Sequence, residues 1–285
     1  MSMKQTFSPH PRIVRINGVD LAYRDEGQGD PLVLIHGSAE DLRTWSRQLE
    51  PFSKRYRVIA YSRRYHYPNA APLDGAEYSG SLHVADLAGL IEELDIGPAH
   101  LVGSSFGANV ALSAGVRHPG LVRSLVLGEP PAMPLLEHNA DGARLVETFT
   151  STVWEVARQA FRRGEMEQGM RVFVDSVLGP HAFDRLSPSA RGKMLQNAPE
   201  MRAELETAWE RRFPPFTCSD GGTLDLPVLL LTGETSPRLF HLIADELERC
   251  LPRVHRATIP RVSHAIHGLN PQDYNTKVLT FLAQL

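Results

Sequence analysis

The stretch that most constrains the fold is residues 99–117, where an apolar run enters a glycine-rich turn that leads directly into an alanine-rich segment. The turn reads Gly103-Ser104-Ser105-Phe106-Gly107, a G-x-S-x-G pattern between an expected strand and an expected helix. Glycines on either side of Ser105 leave room for strained backbone there and for close packing of the helix on the strand. The alternative is a glycine-rich turn in which the serine is incidental. The flanking elements favour a serine presented at the carboxyl end of a sheet.

Composition places the chain among ordinary globular proteins. Its 285 residues are 42% hydrophobic and 22% charged, which suits one large α/β domain with an insertion. A formal net charge of −3 gives no indication of nucleic acid or of an anionic membrane as a partner. Residues 1–11 contain no apolar region typical of a signal peptide, and no apolar run approaches the roughly 20 residues of a membrane span. We expect a cytoplasmic protein, either a monomer or a homodimer.

The two cysteines carry little information at this level. Cys218 and Cys250 are too few for a disulfide framework and lack the spacing of a metal site. We therefore expect neither a metal nor a cofactor.

Short apolar segments alternate with helical patterns through much of the chain. Residues 12–25 predict two strands around an Asn17-Gly18 turn, and 81–95 and 239–250 predict helices. Further strands are predicted at 32–35, 57–61, 121–127, 227–232 and 254–259. This alternation predicts a doubly wound, mostly parallel sheet of the α/β class.

The alternation stops at residues 135–212, which contain no convincing strand. Three apolar stripes at helical spacing lie there, and Ser187-Pro188 is typical of a helix start. We interpret this stretch as an all-helical insertion. The predicted division is a core at 1–134, a helical cap at 135–215 and the rest of the core at 216–285.

These motifs together resemble those of the α/β-hydrolase superfamily over nearly the whole chain. The resemblance rests on His36-Gly37 after the third strand, on Gly103-x-Ser105-x-Gly107 after the fifth and on His264 before the last helix. It implies that the insertion covers an active site in which Ser105 is the nucleophile and His264 the base. His267, three residues further on, is the alternative base.

The acidic partner of the histidine is ambiguous. The commonest family position, after the seventh strand, holds Ser236, and serine cannot carry the charge that stabilises an imidazolium. Haloalkane dehalogenases and zearalenone lactonases include members that take the acid from the end of the sixth strand, where this chain has Glu129. Glu129 is the first candidate and Glu234 the second.

The resemblance also implies an oxyanion hole made by the backbone N–H groups of Ser38 and Phe106. The loop at 63–67, Arg-Arg-Tyr-His-Tyr, departs from the family pattern. It is either a solvated loop packed on the cap, which we favour, or a site for an acidic substrate. The aromatic residues of the insertion are expected to form the cap core rather than to contact ligand: Trp154, Phe161, Phe173, Phe183 and Trp209.

The sequence therefore predicts a serine hydrolase of a small carboxylic ester or lactone. Serine at 105 suits acyl transfer, whereas dehalogenases and epoxide hydrolases of this superfamily resemble one another in using aspartate. One alternative is a carbon–carbon bond hydrolase of a dienoate. Another is a ligand receptor or pseudo-hydrolase on the same fold.

Overall fold

Continuous apolar runs form the centre of a mixed sheet in the computed structural model, which describes residues 11–72, 77–214 and 216–285. The expectations for residues 1–10, including the absence of a signal peptide, fall outside these ranges. The described residues form eight strands: β1 Arg12–Ile16, β2 Val19–Glu26, β3 Asp30–Ile35, β4 Tyr56–Tyr61, β5 Ala99–Ser104, β6 Val122–Gly128, β7 Val228–Gly233 and β8 Val254–Ile259.

The strand order is β1-β2-β4-β3-β5-β6-β7-β8. The first two strands form the hairpin predicted around Asn17-Gly18 and pair antiparallel, as do β2 and β4. All other neighbours are parallel. β3 and β5 are neighbours, but the chain continues from β3 to β4 on one side and from β5 to β6 on the other. The loops that follow these two strands therefore diverge and leave a crevice at their carboxyl ends.

The alternating side chains of the central strands pack on two separate helical layers. Val33 and Ile35 belong to one apolar cluster, and Leu32 and Leu34 to the other, on the opposite face. The helices of the described chain are α1 Ser46–Ser53, α2 Gly80–Glu93, α3 Phe106–Arg117, α4 Ala140–Phe149, α5 Glu155–Arg162, α6 Met166–Leu178, α7 Ala182–Arg185, α8 Pro188–Leu195, α9 Ala198–Glu206, α10 Trp209–Arg212, α11 Cys218–Gly222, α12 Arg238–Cys250, α13 Ile266–Leu269 and α14 Pro271–Leu282. No helix of the described ranges is both long and apolar enough to cross a bilayer.

The described residues between β6 and β7 are helical or irregular, and we call the part from α4 to α10 the helical segment. Asn139 caps α4 by accepting hydrogen bonds from two backbone N–H groups, and Ser187 caps α8 at the predicted start by accepting one from the Ala190 N–H. A five-residue π-helical turn at Thr150–Trp154 joins α4 to α5. Trp154, Phe161 and Phe183 are buried within the apolar cluster that the segment shares with the core.

Two features differ from the expectations or were not foreseen. Cys218 and Cys250 form a disulfide between α11 and the end of α12, with their Cα atoms 5.0 Å apart. The sequence suggested a solvated loop at 63–67, but only part of it is solvated. Tyr67 is exposed, whereas Arg63 is fully buried and Arg64 forms a nearly buried ion pair with Asp86. From the sequence alone, the two adjacent arginines gave no indication that each guanidinium has its own partner inside the protein.

Candidate active site

Ser105 lies in a sharp turn between β5 and α3. Its backbone has φ 51° and ψ −121°, a strained conformation for a residue other than glycine. A Cβ at Gly107 would stand 2.2 Å from the carbonyl oxygen of Ile35, and one at Gly103 would stand 2.5 Å from Cα of Ala108. Only glycine fits at these two positions, which explains the motif in steric terms. The Ser105 N–H donates to the carbonyl of Gly128 at 2.7 Å, which fixes the turn on β6.

A chain of two hydrogen bonds joins Ser105 to a buried carboxylate. His264 Nε2 lies 2.8 Å from Ser105 Oγ, and His264 Nδ1 lies 2.7 Å from Glu129 Oε2. Glu129 is 1% exposed, and its other oxygen accepts a hydrogen bond from the Gly233 N–H at 2.8 Å. The ring of Phe240 stacks on the imidazole with centroids 4.0 Å apart. Both ring nitrogens are therefore engaged, and the imidazole is held in place on one face.

The structure places the other candidates elsewhere. Glu234 is exposed and accepts a hydrogen bond from the Arg261 N–H at 2.7 Å. Ser236 is buried, and its hydroxyl lacks a hydrogen-bond partner among the described residues. His267 is buried beside Trp45, and its Nε2 lies 2.9 Å from Thr44 Oγ1. Burial lowers the pKa of His267. Of the candidate acids, the structure brings only Glu129 to the histidine.

The two backbone donors expected for an oxyanion lie beside the serine. Phe106 is the first residue of α3, and Ser38 follows His36-Gly37 at the end of β3. Neither N–H donates a hydrogen bond to another described residue, so both are free to face a ligand oxygen. Two N–H groups that face one oxygen can stabilise a developing negative charge, which is the role predicted for this pair.

Buried side chains hold the loop that contains Ser38. The backbone N–H of Arg63 donates to His36 Nε2 at 2.9 Å, and its guanidinium donates to the carbonyls of His36 and Gly37, each at 3.1 Å. Burial lowers the pKa of His36 well below its usual range, which keeps Nε2 available as an acceptor. From the helical segment, Glu204 Oε2 accepts a hydrogen bond from Ser38 Oγ at 2.7 Å.

Next to this contact lies a second buried carboxyl. Glu200 Oε1 accepts from the Tyr78 hydroxyl at 2.5 Å and lies 2.9 Å from His66 Nε2. Burial raises the pKa of Glu200 to about 7, and burial together with the Glu200 charge raises that of Glu204 to about 7. Burial lowers the pKa of His66 well below its usual range. Because the neutral His66 ring donates from Nδ1 to the Glu40 carbonyl, its Nε2 carries no proton and faces Glu200 Oε1.

A small cavity of about 50 Å³ opens on the serine and histidine. The core contributes Ser105, His264 and the loop from Gly37 to Glu40. The helical segment contributes apolar side chains: Phe173, Val174, Val177, Leu178 and Met194. Phe173 packs against the apolar core, as expected, and also lines the cavity. No group of three or more potential ligand side chains in the described part of the chain is arranged to hold a metal ion.

Sequence reasoning missed Glu40, Glu200 and Glu204. Glu200 and Glu204 are four residues apart, beside the apolar stripe that contains Met201 and Leu205, so the spacing puts both carboxyls on a buried face of α9. That spacing was the available signal. Glu40 lies in a loop, where no periodicity reports the direction of a side chain.

Comparison with known proteins places this geometry in a wider context. A family model described as alpha/beta hydrolase fold matches residues 30–271. A Mycobacterium tuberculosis protein named as a non-heme bromoperoxidase is 29% identical, over 94% of this chain and 99% of its own length. A 2-hydroxymuconate semialdehyde hydrolase of a Pseudomonas strain is 38% identical over 39% of this chain and 40% of its own length. The solved enol-lactonase of Burkholderia xenovorans has a TM-score of 0.72 at 19% identity, over 95% of this chain and all of that one, which is a likeness of fold.

Proposed function

This chain belongs to the alpha/beta hydrolase family, and we propose that it is a serine hydrolase that cleaves a small carboxylic ester or lactone through an acyl-enzyme on Ser105. The observation that carries the proposal is the hydrogen-bonded chain from Ser105 through His264 to Glu129. A serine hydroxyl is a weak nucleophile at neutral pH, and it becomes effective when a neighbouring base accepts its proton during attack.

The mechanism follows from these contacts. His264 Nε2 takes the proton from Ser105 Oγ as the oxygen attacks the carbonyl carbon. Glu129 holds Nδ1 protonated and stabilises the imidazolium that forms. The N–H groups of Ser38 and Phe106 stabilise the oxyanion. His264 then gives its proton to the leaving alcohol, and it activates the water that hydrolyses the acyl-enzyme.

The residues 135–215 act as a cap in this proposal. Their side chains on α6 and α8 form the apolar wall of the cavity, and α9 contacts the oxyanion loop through Glu204. The small volume of the cavity supports a short acyl group as the part that binds next to the serine.

The carbon–carbon hydrolase is the second candidate, and the named activity of the Pseudomonas relative favours it. A dienoate carries a carboxylate, which calls for a cation in the pocket. Arg63 and Arg64 were the available cations, but Arg63 holds backbone carbonyls and Arg64 is paired with Asp86. Neither lines the described cavity, which supports the ester or lactone reading. The receptor alternative rested on the serine at position 236, and the contact between Glu129 and His264 supplies the acid that it lacked.

The sequence predicted a cytoplasmic location. The Cys218–Cys250 disulfide argues against it, because disulfides are rare in proteins of the reducing cytoplasm. The proposal also includes a monomer or a homodimer that acts on a small-molecule substrate, with no nucleic acid, membrane or cofactor as a partner.

The test is hydrolysis of short p-nitrophenyl esters and of a lactone panel by the wild type and by Ser105→Ala. The proposal expects turnover of at least one ester or lactone that Ser105→Ala reduces by several orders of magnitude. A dienoate substrate and a bromide-dependent peroxidase assay complete the panel. Turnover of the dienoate alone would favour the carbon–carbon reaction, and equal rates in the two proteins would refute the role of Ser105.

A further inference from the structure

The cavity beside Ser105 contains a carboxylate that the proposed mechanism does not use. Glu40 lines the same cavity as Ser105 and His264, and 18% of its side chain is exposed. A Cβ built on Gly37 would lie 3.2 Å from Glu40 Oε2 and also 3.2 Å from Ser105 Cβ. The carboxylate and the nucleophile therefore flank the same point of the cavity wall.

Hydrogen bonds fix the carboxylate in this position. Glu40 Oε2 accepts from the Gly37 N–H at 3.0 Å, and Oε1 accepts from Thr44 Oγ1 at 3.1 Å. An ionised carboxylate has about four acceptor positions, so these two bonds leave acceptor capacity for a ligand. The side chain is thus held rigidly at the cavity, yet it is not saturated.

In the described part of the chain, no neighbouring cation neutralises this charge inside the cavity. Among the described residues that line it there is no lysine or arginine. His267 Nε2 lies 3.7 Å from Glu40 Oε1, but burial lowers the pKa of His267 and disfavours its charged form. The guanidinium of Arg63 is buried against the carbonyls of His36 and Gly37 and over the Phe106 ring. The cavity therefore presents one fixed negative charge next to the reacting serine.

We propose that Glu40 is a specificity-determining residue, which makes the site select esters that carry a cationic group such as a quaternary ammonium and reject esters that carry a carboxylate. This inference rests on the proposed function and names the substrate class of the same site. A like charge placed close by in a partly desolvated site opposes binding, whereas an opposite charge favours it.

Three acetyl thioesters serve as probes: acetylthiocholine, the neutral analogue S-(3,3-dimethylbutyl) thioacetate, and 3-(acetylthio)propionate. All three form the same acetyl-enzyme, so differences in kcat/KM report on binding and acylation alone. Ellman's reagent detects each released thiol. The measured quantity is the ratio of kcat/KM for the cationic probe to that for the anionic probe. A general loss of activity in a variant cancels in this ratio.

The wild type is expected to prefer the cationic over the anionic probe by about 100-fold, with the neutral probe between them. Glu40→Gln, which keeps the size and the acceptor oxygen, is expected to lower this ratio by at least roughly tenfold. Glu40→Asp keeps the charge and should retain most of the wild-type ratio. The matched control is Glu50→Gln, which removes the charge of an exposed glutamate paired with Lys54 on α1 and should leave the ratio unchanged.

A second measurement needs no variant. The ratio in the wild type should fall several-fold between low salt and about 0.5 M salt, because ions screen charges that solvent can reach. A ratio that Glu40→Gln leaves within about twofold of the wild type, or a wild type that prefers the anionic probe, would overturn the inference. Failure of the proposed function gives a different result, since none of the three probes would then be hydrolysed in a Ser105-dependent way.

Discussion

Glu129 Oε2 lies 2.7 Å from His264 Nδ1, although 135 residues separate the two in the chain. The contact forms because Glu129 follows β6 and His264 follows β8, at the same edge of a parallel sheet. Glu129 has φ 49°, an uncommon conformation for glutamate, and its N–H donates to the Leu231 carbonyl at 3.1 Å. The backbone of β7 thus helps to hold the carboxylate against the imidazole.

Glu129→Gln is predicted to lower kcat by roughly 10³- to 10⁴-fold, because a neutral amide neither stabilises the imidazolium nor fixes the tautomer of His264. Steady-state kinetics on the best ester measures the effect. Glu234→Gln is the matched control and should stay near the wild type, since its carboxylate accepts from the Arg261 N–H and not from the histidine. A severe loss in Glu234→Gln with a mild one in Glu129→Gln would reverse the assignment.

Ser38→Ala is predicted to lower kcat by roughly tenfold with little change in KM, the size expected for loss of one hydrogen bond to a charged or partly charged group. The backbone N–H of Ser38 remains, but its side chain no longer donates to Glu204 Oε2. Glu204→Ala should cause a similar loss, and the double variant should lose little more than either single one. Ser189→Ala removes an exposed serine of α8 that does not cap the helix and is the control. Fully additive losses would show that the two side chains do not act through their contact.

The pair Glu200 and Glu204 predicts a pH dependence of stability. Burial raises the pKa of each to about 7, above the value of 4.5 expected in the unfolded chain. The folded state then binds more protons between these values, so the contribution of the pair to stability is fully present below about pH 4.5 and is lost as the pH rises through about 7. The pKa values of these carboxyls also depend on the groups that face them, which are Tyr78, His66 and Arg63.

Glu200→Gln removes one of the titrating groups and is predicted to flatten the decline in the free energy of unfolding between pH 5 and pH 7.5. One proton contributes at most about 1.4 kcal/mol per pH unit to that slope. Urea unfolding at a series of pH values measures it. Glu206→Gln alters a more exposed glutamate of the same helix and should keep the wild-type slope. Identical slopes in all three proteins would contradict the raised pKa values.

Much of the fold followed from the sequence because its signals are local. The apolar runs predicted all the strands to within one or two residues, and Ser187-Pro188 predicted the start of α8. Ser105 and His264 could be singled out because a sharp turn and a late loop carry recognisable patterns. Glu129 was ambiguous because its role depends on which strand ends are neighbours, and the strand order is a property of the whole sheet.

Other features depend on contacts that no local pattern reports. Arg63 looked like part of a solvated loop because sequence does not show that its guanidinium meets two backbone carbonyls. Glu204 reaches Ser38 across 166 positions, and the cysteine pairing joins two helices whose docking the sequence does not describe. In each case the missing information was tertiary packing.

The central claim, that Ser105 is an activated nucleophile, is tested most directly by labelling with a fluorophosphonate, followed by mass spectrometry of the modified peptide. The account predicts one label per chain, located on Ser105, absent in Ser105→Ala and formed much more slowly in Glu129→Gln. A wild type that stays unlabelled, or a label on another residue, would contradict it.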